Sequence, residues 1–163
     1  MKDFIKIPEK RRDFLKKYGN LIKKIEEFTN TKVELNDEIT IDGSSVDVFQ
    51  TKNIIKAFGR GFDLDDCFFL LEDEYGLEII DLSEITKSRE RLKTLKGRII
   101  GTSGKTKNYI EKYTDVKISI FGKTVSIIGK WDKICIAKEA IMKLIDGCNH
   151  ETLYRWLEKK GMK

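Results

Sequence analysis

The sequence predicts an α+β fold in which one structural unit is used twice, and three observations predict it. Lys117-Ile118-Ser119-Ile120-Phe121 and Thr124-Val125-Ser126-Ile127-Ile128 alternate with the period of paired strands. Ile134, Ala137, Ile141 and Leu144 then recur with the spacing of a helix packed on a sheet, a plain core stripe. The third observation is internal repetition. Phe14-Leu15, Gly19 and Leu21-Ile22-Lys23-Lys24-Ile25-Glu26 match, at an offset of 85, Ile99-Ile100, Gly104 and Thr106-Lys107-Asn108-Tyr109-Ile110-Glu111. Thr29-Asn30-Thr31-Lys32-Val33 likewise matches Thr114-Asp115-Val116-Lys117-Ile118, and Gly43 matches Gly129 after one inserted residue.

Taken in order, the chain is expected to open with a strand at 3–7, after which Pro8 starts a helix. Helices follow at 9–16 and 20–29, then a hairpin at 32–42 and a helix at 45–58, broken by Gly59-Arg60-Gly61-Phe62. Asp63-Leu64-Asp65-Asp66 puts acids at the start of a further helix over 64–73. Leu77-Glu78-Ile79-Ile80-Asp81-Leu82 begins the second copy as a strand. Both hairpins are expected to turn through two residues, Asn36-Asp37 and Gly122-Lys123. A last helix from 150, capped by Asn149, shows Leu153, Trp156 and Leu157 on one face. It is expected to lie across the first copy and fix the two units together.

At 163 residues, with 40% hydrophobic and 36% charged residues, the chain has enough apolar material for a core and a well-solvated surface. No run approaches a membrane span, and Met1-Lys2-Asp3-Phe4-Ile5 is not of secretory type. Cys67, Cys135 and Cys148 read as buried free thiols of a reducing cytoplasm. Cys148 and His150 are two potential ligands, too few for a metal site. No nucleophile elbow or paired-ligand pattern is present, so neither an enzyme nor a cofactor is expected.

The net charge of +5 is unevenly spread. Residues 1–24 hold nine Lys or Arg against three acids, and 62–85 hold nine acids and no base. Residues 87–107 hold eight bases and one acid. Basic blocks suit phosphates, whereas the acidic block suits a solvated face, a cationic surface or docking within the chain.

In the second basic block lies Gly97-Arg98-Ile99-Ile100-Gly101-Thr102-Ser103-Gly104-Lys105-Thr106-Lys107-Asn108-Tyr109-Ile110. Its Gly-x-x-Gly turn lets the backbone approach a ligand, and the amides of the helix that follows favour phosphate. Arg98, Lys105 and Lys107 surround that point with positive charge. Gly104-Lys105-Thr106 ends like a Walker A loop. That motif, however, needs glycine where Ile99 stands, and it needs a preceding strand.

The order of helix, Gly-x-x-Gly, helix, hairpin and helix resembles the KH domain, a module that clamps about four single-stranded nucleotides. The resemblance implies two tandem type I KH domains (βααββα, a three-stranded sheet packed on helices) with an additional C-terminal helix. Residues 1–75 would form a degenerate copy, in which Lys16-Lys17-Tyr18-Gly19 stands opposite the intact loop. Residues 76–163 would form the RNA-binding copy.

Several stretches narrow the resemblance: Ala57-Phe58-Gly59-Arg60-Gly61-Phe62, Ile79-Ile80-Asp81-Leu82, Lys96-Gly97-Arg98-Ile99-Ile100-Gly101, Gly122-Lys123-Thr124-Val125 and His150-Glu151-Thr152-Leu153-Tyr154. They are similar to the archaeal ribosome-assembly KH protein that partners the Nob endonuclease, with the Krr-type assembly factors as a sister family. The resemblance implies a non-enzymatic, cytoplasmic RNA-binding monomer. Its expected ligand is the single-stranded 3′ end region of small-subunit rRNA during processing. Expected partners are the Nob-type endonuclease and the α subunit of translation initiation factor two. Carried over by position, RNA would be held by Gly101, Thr102, Ser103 and Gly104 and by Arg98, Lys105, Lys107, Lys117 and Lys123. Ile100, Ile118 and Ile120 would wall the base groove. General KH sequences have an aliphatic residue where Lys107 stands. The other function the sequence allows is a protein-docking adaptor whose KH folds are mainly scaffolds.

Overall fold

In the first unit, Met1–Asp73, the order is strand, two helices, two strands, helix, as it is again in the second unit, Glu74–Lys163. The computed structural model describes residues 1–161; the last two residues of the expected second domain lie outside them. The first unit comprises β1 (Lys2–Ile5), α1 (Glu9–Lys17), α2 (Asn20–Thr29), β2 (Lys32–Leu35), β3 (Ile39–Asp42), α3 (Ser45–Gly59) and the short α4 (Leu64–Cys67). The second comprises β4 (Tyr75–Asp81), α5 (Arg89–Ile100), α6 (Lys105–Thr114), β5 (Lys117–Phe121), β6 (Thr124–Lys130), α7 (Trp131–Ile145) and α8 (His150–Gly161). Each sheet is antiparallel with its last strand in the middle, β1-β3-β2 and β4-β6-β5.

The repetition extends to single atoms. Asn30 and Asp115 both end their helices in the left-handed region, at φ 56 and φ 53, and their amides return to the carbonyls of Glu26 and Glu111. These residue types tolerate that conformation best after glycine. Buried Thr29 and Thr114 each donate Oγ1 to the carbonyl one turn back, at 2.6 Å. The Glu26 and Glu111 carboxylates each accept a strand amide, from Val33 at 3.1 Å and Ile118 at 2.9 Å. A Cβ on Gly43 would meet Thr31 at 3.1 Å, and one on Gly129 would meet Val116 at 2.6 Å.

Each unit also fastens the end of its closing helix with an arginine from its first helix. Arg11 donates to the carbonyls of Phe58 and Phe62, both at 2.8 Å. Arg98 donates to those of Leu144, at 3.1 Å, and Cys148. Both add a charged donor where a helix ends, although the Phe58 and Leu144 carbonyls also accept the amides of Gly61 and Gly147.

In the second unit Val125 and Ile127 of β6 meet Ile99, Ile110, Ile141 and Leu144 in a core that also takes Leu153 and Leu157. Each such side chain contributes about 2 kcal/mol by leaving water. The terminal helix therefore turns its apolar face into the core of its own unit, where the sequence suggested a brace against the first. Asn149 Oδ1 accepts from the Thr152 amide at 2.8 Å, the cap its residue type favours.

Other expectations shift in detail. β1 stops at Ile5, ahead of Pro8, whose carbonyl accepts from the Arg11 and Arg12 amides at 3.0 Å. The first hairpin turns through Asn36, Asp37 and Glu38, whereas Gly122 (φ 56) and Lys123 form the second turn alone. The helix expected over 64–73 tightens after Cys67 into a 3-10 turn, Phe68–Leu71. Its Asp65 pairs with Lys24 at 2.8 Å, so part of the acidic block docks within the chain. Of the three thiols only Cys67 is buried; Cys148 is half-buried and Cys135 exposed. No helix among the described residues is long and apolar enough to cross a membrane.

Candidate nucleic-acid interface

The loop at Gly101–Gly104 is built by the way α5 ends. Ser88 caps that helix by accepting the Arg91 amide at 3.2 Å, and Leu95 and Ile99 bury one stripe of it in the core. The Gly101 amide closes the last turn on Gly97 at 2.8 Å, and Gly101 then swings the chain away at φ 76. A Cβ at Gly101 would collide with Thr106, 2.2 Å from its Oγ1, so no other residue fits. Ser103 and Gly104 follow in the left-handed region, at φ 54 and φ 76. For serine that conformation costs on the order of 1–3 kcal/mol and persists where the surroundings impose it.

Past the loop the ten-residue α6 begins, with Gly104 at its N-cap offering no side chain to its first amides. Those donors and the helix dipole favour negative charge at the loop. Thr102 and Ser103 are exposed above them, as is Lys105. The Lys105 ammonium stands 5.7 Å from the Tyr154 ring centroid of α8. Thr106 Oγ1 is 2.9 Å from the Tyr154 hydroxyl, and the Tyr154 ring packs on Tyr109 with centroids 4.2 Å apart. Tyr109 in turn donates to Glu158, and that bond to a carboxylate raises the phenol's pKa above its ordinary value. His150 Nε2 lies 2.9 Å from the Arg98 carbonyl, which only accepts, so this nitrogen carries the proton. Polar and aromatic contacts from α8 thus hold the rear of the loop.

The fold places the twelve expected residues unequally. Gly101, Thr102, Ser103, Gly104 and Lys105 form one continuous surface, and half-buried Ile100 flanks it. Arg98 is half-buried, and its guanidinium donates to the carbonyls of Leu144 and Cys148. Lys107 pairs with Glu111 at 3.3 Å, with 30% of its side chain exposed. Ile118 belongs to the core at 4% exposure, which leaves half-buried Ile120 as the strand's wall. Alternation puts Lys117 on the opposite face of β5 from both isoleucines. Lys123 sits at the turn, beside Asp81, whose carboxyl is held below its usual range mainly by hydrogen bonds from Ser83.

The matching stretch of the first unit departs from Gly101–Gly104 in more than its missing glycine. α1 runs through Lys16 and Lys17, so only Tyr18 and Gly19 separate it from α2. Gly19 has an ordinary right-handed φ of −58. That copy lacks the looped-out backbone as well as the glycine.

Residues 76–162 match the family model for the second KH domain of PNO1, described as a eukaryotic-type KH domain (KH-domain type I). A KH domain-containing protein of Methanocaldococcus jannaschii is 37% identical, over 99% of this chain and 74% of its own length. The chain belongs to the PNO1/Dim2 family of ribosome-assembly KH proteins. Dim2p from Pyrococcus horikoshii is 38% identical in its crystal structure, with a TM-score of 0.87 over 98% of this chain and 99% of that one. A crystal structure of an a/eIF2alpha-aDim2p-rRNA complex from the same organism contains a chain 37% identical, with a TM-score of 0.90 over 99% of this chain and 94% of that one. The pre-rRNA-processing protein PNO1 of Chaetomium thermophilum is 34% identical over 63% of this chain but only 40% of its own length. Among the described residues, no cluster of three or more His, Cys, Asp or Glu is placed to hold a metal ion.

The sequence reading of this PNO1/Dim2 chain missed three contributors. Glu111 ties α6 to β5, Thr106 keeps Gly101 a glycine, and Tyr154 braces the loop from α8. All three stand in stretches the sequence singled out, Glu111 and Thr106 in the repeat and Tyr154 in a family-matching stretch, but none was marked for its role at the loop.

Proposed function

We propose that this chain is an RNA-binding factor of small-subunit assembly made of two type I KH domains. Residues 1–75 form a degenerate copy, and 76–163, with the C-terminal helix, form the copy that holds RNA. Its ligand is the single-stranded 3′ end region of small-subunit rRNA during processing. A phosphate rests on Gly101–Gly104 against the first amides of α6, with Lys105 beside it, and adjacent bases lie between Ile100 and Ile120. The translation-factor α subunit and the Nob-type endonuclease are its protein partners, and it acts in the cytoplasm as a monomer.

The loop carries this reading: two glycines at positive φ, a strained serine between them, and a helix start with no side-chain cap. Two named relatives support it, one a pre-rRNA-processing protein and one crystallised in a complex with rRNA. The test is a titration with a single-stranded RNA of the 3′-end sequence. Thr102→Asp with Ser103→Asp sets two charges against the phosphate at exposed positions and is expected to weaken binding at least about tenfold, because phosphate contacts supply most of the generic affinity. Lys17→Asp with Tyr18→Asp in the first unit should cost much less, and that loss should shrink with salt. Unchanged affinity in a folded Thr102/Ser103 variant would sink the loop as the RNA site. Equal, salt-resistant losses from both pairs would make the protein a two-site clamp.

A further inference from the structure

In the first unit a cleft of about 460 Å³ opens between α1, α2 and the start of α4. Its apolar part is made by Phe14, Leu21, Phe58 and Leu64. Phe58 and Leu64 are buried and form the floor, whereas Phe14 is 42% exposed and Leu21 half-buried at the walls. On α1 this cleft takes Arg11 and Phe14. Arg12 and Lys16 line a different one on the opposite flank, beside Leu35 and Asn36, and no residue lines both.

We propose that this cleft docks a basic peptide segment of a protein partner. An apolar side chain of the segment enters among Phe14, Leu21, Phe58 and Leu64, and a neighbouring lysine or arginine meets Asp63. Charge complementarity selects that occupant. Three carboxylates, Asp63, Asp65 and Asp66, line the cleft from the side of α4. Both cations that line it are already engaged: Arg11 donates to the carbonyls of Phe58 and Phe62, and Lys24 pairs with Asp65 at 2.8 Å. Such a rim repels the phosphates of a nucleic-acid strand.

Asp63 supplies an independent observation. It stands at the N-cap of α4, where an aspartate side chain favours accepting an amide of the first turn, yet its carboxylate makes no such bond. Its counterpart in the second unit does. Gly61 and Gly147 both follow the closing helices at positive φ, and two residues after Gly147 the Asn149 side chain caps α8. Exposed Asp63 thus leaves its charge at the mouth of the cleft. The helices that follow also differ. Leu21 of α2 matches Thr106 of α6, over which α8 brings Tyr154. The shorter α4 ends after four residues, and the wall at Phe14 and Leu21 stays open.

The test selects a phage-displayed library of random peptides on the full chain and titrates the selected peptides by fluorescence anisotropy. They are expected to carry Lys or Arg beside Leu, Ile or Phe. Phe14→Ala should weaken them about thirtyfold or more, the worth of an aromatic anchor. Asp63→Asn installs the capping residue of the second unit and should leave the urea midpoint no lower. It should weaken the peptides about two- to fivefold, a loss that shrinks as salt rises. Asp63→Lys should weaken them further. Failure of the library to yield any basic family would overturn the proposal, as would selected peptides that bind all three variants as tightly as the unaltered protein. A single-stranded RNA that displaces the peptides, binds more weakly to Phe14→Ala and more tightly to Asp63→Lys would overturn it too, and would make the cleft a nucleic-acid site.

Discussion

Gly101 and Thr106 are fitted so closely that a Cβ on the glycine would stand 2.2 Å from the threonine Oγ1, an oxygen already 2.9 Å from the Tyr154 hydroxyl. The backbone bend that presents the loop is thereby locked from behind. Gly104, at the other end of the turn, has only the Asn108 side chain near a notional Cβ, at 3.8 Å.

The two glycines should consequently respond differently to alanine. Gly104→Ala bears only the left-handed penalty, about 1 kcal/mol. Gly101→Ala adds a backbone collision and should lose about 3 kcal/mol or more, in the range of other severe local clashes. Urea unfolding of both variants measures the difference. Equal losses would mean that α6 shifts freely away from the loop.

Lys105 and Arg98 should also part company. Lys105→Ala should flatten the salt dependence of RNA binding by about 0.7 in log–log slope, with little change in stability. Arg98→Ala takes a donor from the carbonyls of Cys148 and of Leu144, which keeps the Gly147 amide, and should destabilise the fold by about 1–3 kcal/mol. Arg11→Ala, which takes a donor from the carbonyls of Phe58 and Phe62, should cost a similar amount. If Arg98→Ala moved the salt slope and left stability alone, its helix-fastening role would be wrong.

Tyr109 should keep its proton to higher pH than an ordinary tyrosine. Its hydroxyl donates to Glu158, and a phenolate beside that carboxylate would be repelled. Because the folded pKa is raised, the contribution of this contact is fully present below the ordinary tyrosine range. It is lost as pH climbs through the raised value. Alkaline titration of phenolate absorbance should show a late component that Tyr109→Phe removes.

The thiols should react in order of access. Cys135 is exposed and should be labelled first by a thiol reagent, then half-buried Cys148. Buried Cys67 should wait for unfolding, because burial also pushes its pKa up and suppresses the thiolate. Mass spectrometry of partly labelled protein reads the order directly.

The duplicated architecture was legible because repetition is written in residue type. Ile25 and Ile110, Thr29 and Thr114, and Glu26 and Glu111 occupy matching places both in the sequence and in space. Side-chain direction was not legible. Charge near a loop does not say where a guanidinium points, and Arg98 turns toward the carbonyls of Leu144 and Cys148 at the end of α7. Ile118 and Ile120 share a face of β5, but α6 covers the first more fully than the second. The docking of α8 escaped notice for a related reason. Leu153 and Leu157 mark an apolar stripe, and a stripe does not name the surface that buries it.

The turn of only Gly122 and Lys123 between β5 and β6 has a consequence for how a ligand arrives. A groove bordered by so brief a turn has no flap to fold over its contents. A polynucleotide can be laid in sideways and lifted out again without threading a free end. An internal stretch of a long transcript therefore has the same access as its terminus, and release does not wait on a loop to open.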